Sequence, residues 1–139
     1  MMIKFKTIFQ RARKHYLKGH KKIAELYSAF IKIFYQCDIP LSTDIAENVY
    51  FCHNAFGVVI NPNAKIRGGI IQHCVTIGEL DTHEAPLIEE GVYIGARAII
   101  LGNITIGRNS KIGAGAVVLT DVPLNCTAVG VPARIVRGV

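Results

Sequence analysis

The chain has 139 residues, half of them hydrophobic, and a formal net charge of +6 at pH 7. This length is typical of one compact domain and does not favour a second one. The apolar runs are far shorter than a membrane-spanning helix needs, and the pattern of a secretory signal is absent, so we predict a cytoplasmic location.

Residues 1–36 are predicted to form a basic, amphipathic helical arm, followed by a second unit over residues 37–139. Eight lysines and arginines but no acidic residue occur within the first 22 positions. Apolar residues recur at helical spacing on both sides of Gly19, which predicts two short helices. We expect their apolar faces to pack on the rest of the chain or on a second copy, with peripheral contact to the inner membrane surface as the alternative. Nucleic acid is not expected as a partner, because no base-reading motif accompanies the charge.

An aliphatic residue recurs at every sixth position through the second half of the chain, at Ile88, Ile94, Ile100, Ile106, Ile112 and Val118. A short fixed period is typical of a solenoid, in which each turn buries its aliphatic residue against the turns above and below. Six residues correspond to a short strand and a corner, so three units form a triangular coil of ~18 residues. The pattern continues less regularly upstream, at Ile45, Phe51, Ile60, Ile66, Ile71 and Ile77. We therefore predict a mainly β fold, a parallel β-helix of hexapeptide repeats.

Two segments interrupt this repeat, and each contains a histidine. The first is residues 51–60, with His53, and the second is residues 78–86, with His83. Functional residues are concentrated in loops, and a regular solenoid leaves few other places for them. An imidazole titrates near neutrality, so a positioned histidine can take the proton of a hydroxyl that attacks a thioester.

The chain also contains four cysteines, Cys37, Cys52, Cys74 and Cys126. Their spacing contains no Cys-x-x-Cys pair, so we predict reduced thiols. Cys52 precedes His53, but a small buried residue or pocket wall is favoured over a nucleophile. His53, His73, His83 and Cys74 are metal-ligand types without the spacing of a zinc site, so no metal is expected.

Three stretches carry a family resemblance: Gly-Val-Tyr-Ile-Gly-Ala-Arg-Ala-Ile-Ile-Leu-Gly-Asn-Ile at 91–104, Lys-Ile-Gly-Ala-Gly-Ala-Val-Val-Leu at 111–119 and Gly-Val-Pro-Ala-Arg-Ile-Val at 130–136. From about Cys37 to its end, the chain resembles the serine acetyltransferases and related acetyltransferases of the left-handed hexapeptide-repeat superfamily. This resemblance implies a left-handed parallel β-helix, acetyl-CoA as co-substrate, and a homotrimer with active sites between its subunits.

The same resemblance implies roles for particular residues. His53 would be the general base, and Asp38, at the family's spacing before it, would hold the imidazole and stabilise its charged form. His83 matches the second active-site histidine, which would position the acceptor or stabilise the oxyanion. The positions that correspond to the binding site for acetyl-CoA are Gly78, Ala96, Lys111, Ala114 and Arg134.

Two departures from the serine acetyltransferase pattern bear on the acceptor. Cys52 and Thr82 stand where an aspartate and an arginine would bind the ammonium and carboxylate of serine. The stretch from His53 to Asn61 is more similar to O-acetyltransferases of exopolysaccharide and lipopolysaccharide gene clusters. We therefore predict transfer of acetyl to a sugar hydroxyl of a surface polysaccharide or its precursor.

Three alternatives remain open at this stage. The first is a serine O-acetyltransferase that acts on L-serine in cysteine biosynthesis. The second is a trimeric β-helix without catalysis, which serves as a scaffold. The third is a metal-dependent hydratase, which requires His53, His73 and His83 to converge between subunits.

Overall fold

The structure, a computed structural model, describes residues 4–136. It begins with two helices, α1 over Phe5–Leu17 and α2 over Lys21–Tyr35. Short strands follow: β1 (Asp44–Ile45), β2 (Tyr50–Phe51), β3 (Val59–Ile60), β4 (Lys65–Ile66), β5 (Ile70–Ile71), β6 (Thr76–Gly78), β7 (Leu87–Ile88), β8 (Tyr93–Ile94), β9 (Ile99–Leu101), β10 (Thr105–Ile106), β11 (Lys111–Ile112), β12 (Val117–Val118), β13 (Thr127–Val129) and β14 (Arg134–Val136). A 3₁₀ turn, Cys52–Ala55, lies between β2 and β3.

The strands form three sheets, which are the faces of a triangular coil. Sheet I has the order β1-β4-β7-β10, sheet II the order β14-β13-β11-β8-β5-β2, and sheet III the order β12-β9-β6-β3. Strand neighbours are parallel except for β13 and β14. Lys111 pairs with Tyr93, so one coil takes 18 residues here. The prediction of a mainly β, parallel β-helix with a short helical arm is confirmed.

The core of the coil consists of the residues that recur with a period of six. The side chains from Ile88 to Val118 in this series are each at most 1% exposed. Ser110 also points inward, and its hydroxyl donates a hydrogen bond of 2.6 Å to the carbonyl of Gly107. At Gly95 a Cβ atom would lie 2.5 Å from the backbone nitrogen of Ala114. Glycine is therefore required there because successive coils stack closely, not because the backbone turns sharply.

The arm packs on the first coil through α1. Phe5 is 1% exposed, and its ring meets that of Phe51 edge to face with 5.3 Å between centroids. The helices are separated at Gly19, which has a φ of +77°. Several apolar side chains of α2 remain exposed: Ile23, Leu26, Ile33 and Phe34. Packing of the arm on the rest of the chain is thus observed for α1, while membrane contact stays a prediction.

No helix within residues 4–136 is long and apolar enough to cross a membrane. The division of the chain between residues 36 and 37 also stays a prediction. The outermost residues of the two predicted units, 1–3 and 137–139, lie outside the described part of the chain.

Candidate active site

The corners that connect sheet II to sheet III stack into one edge of the β-helix. We call it the histidine edge, and it consists of residues 52–58, 72–75, 95–98 and 113–116 in successive coils. Backbone hydrogen bonds hold these corners in register. The nitrogen of Arg97 donates to the carbonyl of His73 at 3.1 Å, and that of Gly115 donates to Ala96 at 2.8 Å. Side chains on this edge therefore form a line parallel to the axis of the coil.

His53 lies at the top of the histidine edge in a strained backbone conformation. It has φ 50° and ψ 36°, and the next two residues, Asn54 and Ala55, have φ values of 55° and 61°. The left-handed region costs about 1–2 kcal/mol for each residue other than glycine, and such strain is concentrated at functional sites. Ala55 is fully buried, which anchors the turn, whereas the imidazole of His53 is exposed. The turn therefore presents His53 to solvent on a fixed support.

The arm holds this turn in place. The backbone nitrogen of Phe5, the first residue of α1, donates a hydrogen bond of 3.1 Å to Oδ1 of Asn54. Asn54 thereby satisfies one of the free N–H groups at the start of the helix, as a capping side chain does. The sequence pattern did not indicate this contact, because 49 positions separate the two residues.

Two substitutions at Asn54 distinguish the contribution of its hydrogen bond to Phe5 from the contribution of its left-handed backbone conformation. Asn54→Gly removes the acceptor but tolerates a φ of 55°, whereas Asn54→Ala removes the acceptor and strains the backbone. We expect both to lower the free energy of unfolding, with Asn54→Ala about 1–2 kcal/mol below Asn54→Gly. Urea denaturation at one fixed protein concentration measures this difference. Equal stability of the two variants would show that the left-handed turn is not maintained in solution.

His73 follows His53 on the histidine edge, one coil further along. The two rings are perpendicular, with an interplanar angle of 89° and 4.9 Å between their centroids. From the sequence, His73 was considered only as a metal ligand. The strand register of the structure brings it beside His53, because Tyr50 pairs with Ile70, and the same 20 positions separate the two histidines.

Asp38 lies next to the histidine edge, since its backbone bridges to Val59. Its carboxylate accepts a hydrogen bond of 2.9 Å from Nζ of Lys32, and both side chains are more than half exposed. No hydrogen bond joins Asp38 to His53 among the residues that the structure describes. Because an exposed ion pair contributes little free energy, releasing Asp38 from Lys32 would cost little. The pairing of Asp38 with His53 stays a prediction.

His83 lies on a different edge of the coil. Its loop connects β6 in sheet III to β7 in sheet I, and Nδ2 of Asn63 donates a hydrogen bond of 2.9 Å to its carbonyl. The imidazole is fully exposed, with Nδ1 3.7 Å from a carboxylate oxygen of Glu79. Beside this loop is an open groove of about 590 Å³, which Asp44 and Lys65 help to line. We call this corner the loop edge; within one protomer, it does not meet the histidine edge.

The chain is similar in sequence and in fold to known enzymes. Residues 85–120 match the family described as bacterial transferase hexapeptide (six repeats). The chain is 43% identical over 125 residues to the serine acetyltransferase of Salmonella typhimurium, a match that spans 86% of this chain and 45% of that one. Soybean serine acetyltransferase complexed with serine has a TM-score of 0.84 at 39% identity, covering 93% of this chain and 54% of that one.

A further solved structure, serine acetyltransferase in complex with coenzyme A from Brucella abortus, has a TM-score of 0.84 at 36% identity. The match covers 94% of this chain and 54% of that one. The sequence and the fold together support a serine acetyltransferase-like β-helix of hexapeptide repeats. The chain spans about half the length of the relatives that it matches.

In this serine acetyltransferase-like protein, the residues predicted to bind acetyl-CoA fall into two groups. Ala96 and Ala114 lie on the histidine edge, in the two coils that follow His73. Lys111 begins β11, directly before this edge, and Arg134 pairs with Val129 at its far end. Gly78 ends β6 at the loop edge and therefore lies apart from the other four. The structure thus brings four of the five to one side of the coil, and their role in binding stays a prediction.

The four cysteines of the serine acetyltransferase-like chain are free thiols. Burial raises the pKa of Cys37 to about 12, and the charge of Asp38 adds to this effect. Burial also raises the pKa of Cys52. A raised pKa keeps a thiol protonated and poorly nucleophilic. This agrees with the prediction that Cys52 is a buried residue or part of a pocket wall, and not a nucleophile. Within residues 4–136, no three His, Cys, Asp or Glu side chains are placed to hold one metal ion.

Proposed function

We propose that this protein transfers the acetyl group of acetyl-CoA directly to the hydroxyl of L-serine in the cytoplasm. The observation that carries the proposal is the likeness to serine acetyltransferases, which extends over most of this chain in both sequence and fold. One of these relatives is a complex with serine, and another is a complex with coenzyme A. The histidine edge supplies an exposed imidazole and, below it, a line of small residues along which an extended ligand can approach the backbone.

In the proposed reaction, His53 takes the proton of the acceptor hydroxyl while its oxygen attacks the thioester carbonyl carbon. The carbonyl π electrons move onto oxygen and form a tetrahedral oxyanion. When this collapses, the C=O bond re-forms, the C–S bond breaks, and the His53 imidazolium returns the proton to the departing sulfur. Asp38 would stabilise that imidazolium after turning away from Lys32. No covalent bond to the enzyme is needed.

The positions of the two candidate histidines favour a homotrimer with shared sites. His53 and His83 lie on different edges of one protomer, so a site that uses both is formed most simply between two protomers. In a cyclic trimer, the histidine edge of one protomer can face the loop edge of the next, which makes three equivalent grooves. We propose that acetyl-CoA and the acceptor bind in these grooves, and that His83 of the neighbouring protomer positions the acceptor.

A sugar hydroxyl is the second candidate acceptor. Cys52 has a raised pKa and is therefore uncharged at neutral pH, and Thr82 is an exposed neutral residue. Neither can form an ion pair with the ammonium or carboxylate of serine, whereas a sugar needs only neutral hydrogen bonds. The relatives support serine rather than the polysaccharide acceptor that the sequence favoured, so we rank serine first.

Thiol release from acetyl-CoA, measured with each acceptor in turn, tests this ranking. We expect a higher kcat/KM with L-serine than with any member of a panel of nucleotide sugars and glycan fragments. Faster release with a sugar would reverse the order of the two acceptors. Absence of release with every acceptor, together with absence of acetyl-CoA binding in calorimetry, would instead favour a non-catalytic scaffold.

A further inference from the structure

His73 is half-buried, and its two ring nitrogens have different surroundings. Nδ1 is enclosed, and no residue that the structure describes forms a hydrogen bond with it. Nε2 is not buried in this way, so the half-buried ring keeps this nitrogen in contact with solvent. An unpartnered buried nitrogen next to a candidate general base requires an explanation.

This difference selects one tautomer of the neutral imidazole. A neutral ring has one N–H donor and one bare nitrogen. A proton on Nδ1 would be a buried donor without an acceptor, which is rarer in proteins than an unsatisfied acceptor. A proton on Nε2 points instead to the open side of the ring, where water or a ligand can accept its hydrogen bond. His73 is therefore a hydrogen-bond donor at Nε2.

The order of residues along the histidine edge shows what this donor can reach. His53, His73, Ala96 and Ala114 occupy successive coils in that order. A thioester arm that lies along Ala114 and Ala96 brings its carbonyl group to His73 before it reaches His53. The two imidazoles are in edge-to-face contact, with 4.9 Å between their centroids, so a hydroxyl at His53 and a thioester carbonyl at His73 would be neighbours.

We propose that His73 is a catalytic residue whose Nε2–H binds the thioester carbonyl oxygen and stabilises the oxyanion. This role rests on the proposed acetyl transfer. As the hydroxyl oxygen attacks the carbonyl carbon, its proton moves to His53, and the π electron pair moves to the oxygen bound by His73. The hydrogen bond from Nε2 strengthens as that negative charge develops. The charge leaves the oxygen when the C–S bond breaks, and His73 keeps its proton throughout.

Three substitutions distinguish the donor from the ring. The amide nitrogen of glutamine reaches the position of Nε2, that of asparagine reaches only the position of Nδ1, and phenylalanine keeps a ring without a donor. We expect His73→Asn and His73→Phe to lower kcat by about 10²–10³-fold, with KM for acetyl-CoA changed less than about threefold. His73→Gln should retain kcat within about tenfold of the original protein. Size-exclusion chromatography checks that each variant keeps its assembly.

Full kcat in His73→Phe would overturn the proposal and reduce His73 to a packing role. A fall in His73→Gln as large as in His73→Asn would also contradict it, since the donor would then not matter. Nitrogen NMR of histidine-labelled protein gives a test that needs no turnover: the Nε2–H tautomer is expected, and the Nδ1–H tautomer would refute the assignment. If the unmodified protein binds acetyl-CoA but transfers nothing, the proposed function fails and this role fails with it, whatever the tautomer.

Discussion

Replacement of His53 by asparagine should lower kcat for acetyl transfer by about 10²–10⁴-fold, because the hydroxyl would then lose its general base. Asparagine is the suitable replacement, since it tolerates the left-handed backbone at this position better than alanine does. The amide cannot accept a proton at neutral pH, so the variant isolates the chemistry from the fold. Initial rates of thiol release at saturating acetyl-CoA and acceptor measure the effect.

His20→Ala is the matched control. His20 is an exposed histidine in the arm, and its substitution should leave kcat unchanged. The His53→Asn protein should retain its assembly and its affinity for acetyl-CoA, which calorimetry can measure. If His53→Asn retained full activity, another group would be the base and the histidine edge would lose its central residue.

Mixing two inactive variants should restore activity if each active site uses His53 of one protomer and His83 of the next. His53→Asn and His83→Ala chains can be co-expressed with different tags, and the mixed trimers isolated by two successive affinity steps. A mixed trimer has two chains of one variant and one chain of the other. In both cases, one of its three grooves joins an intact His53 to an intact His83. We therefore expect about one third of the original kcat per trimer, while each variant alone remains inactive.

Recovery of activity in mixed trimers is expected because the histidine edge and the loop edge are separate corners of one protomer's coil. Suppose that both variants are inactive alone and that their mixed trimers are inactive too. That result would mean that His53 and His83 act within one protomer, and it would contradict the shared groove. Full activity of the His83→Ala protein alone would show that the loop edge contributes no essential histidine.

The repeating part of the fold was predictable because burial imposes it directly on the sequence. A residue such as Ile100 must face the interior once in every six positions, and the pattern shows this without any knowledge of distant contacts. The two interruptions of the repeat were visible for the same reason. They correctly located the turn of His53 and the long loop of His83.

Contacts between distant parts of the chain were not predictable in this way. The first coils are irregular, so the register that sets His73 beside His53 cannot be counted from a period of six. The bond between Phe5 and Asn54 depends on how α1 docks on the first coil, which local patterns do not specify. The apolar pattern of α2 also did not reveal its packing, since Leu26 and Phe34 are exposed while Ala24 and Tyr35 are buried.

The most direct test of the central claim is mass spectrometry of L-serine after incubation with acetyl-CoA and the purified protein. We predict that the unmodified protein produces O-acetylserine together with an equal amount of free CoA, and that His53→Asn produces neither above background. Formation of O-acetylserine at the same rate by both proteins would contradict the role of His53. If the unmodified protein formed none, but acetylated a sugar in a parallel incubation with acetyl-CoA, serine would not be the acceptor.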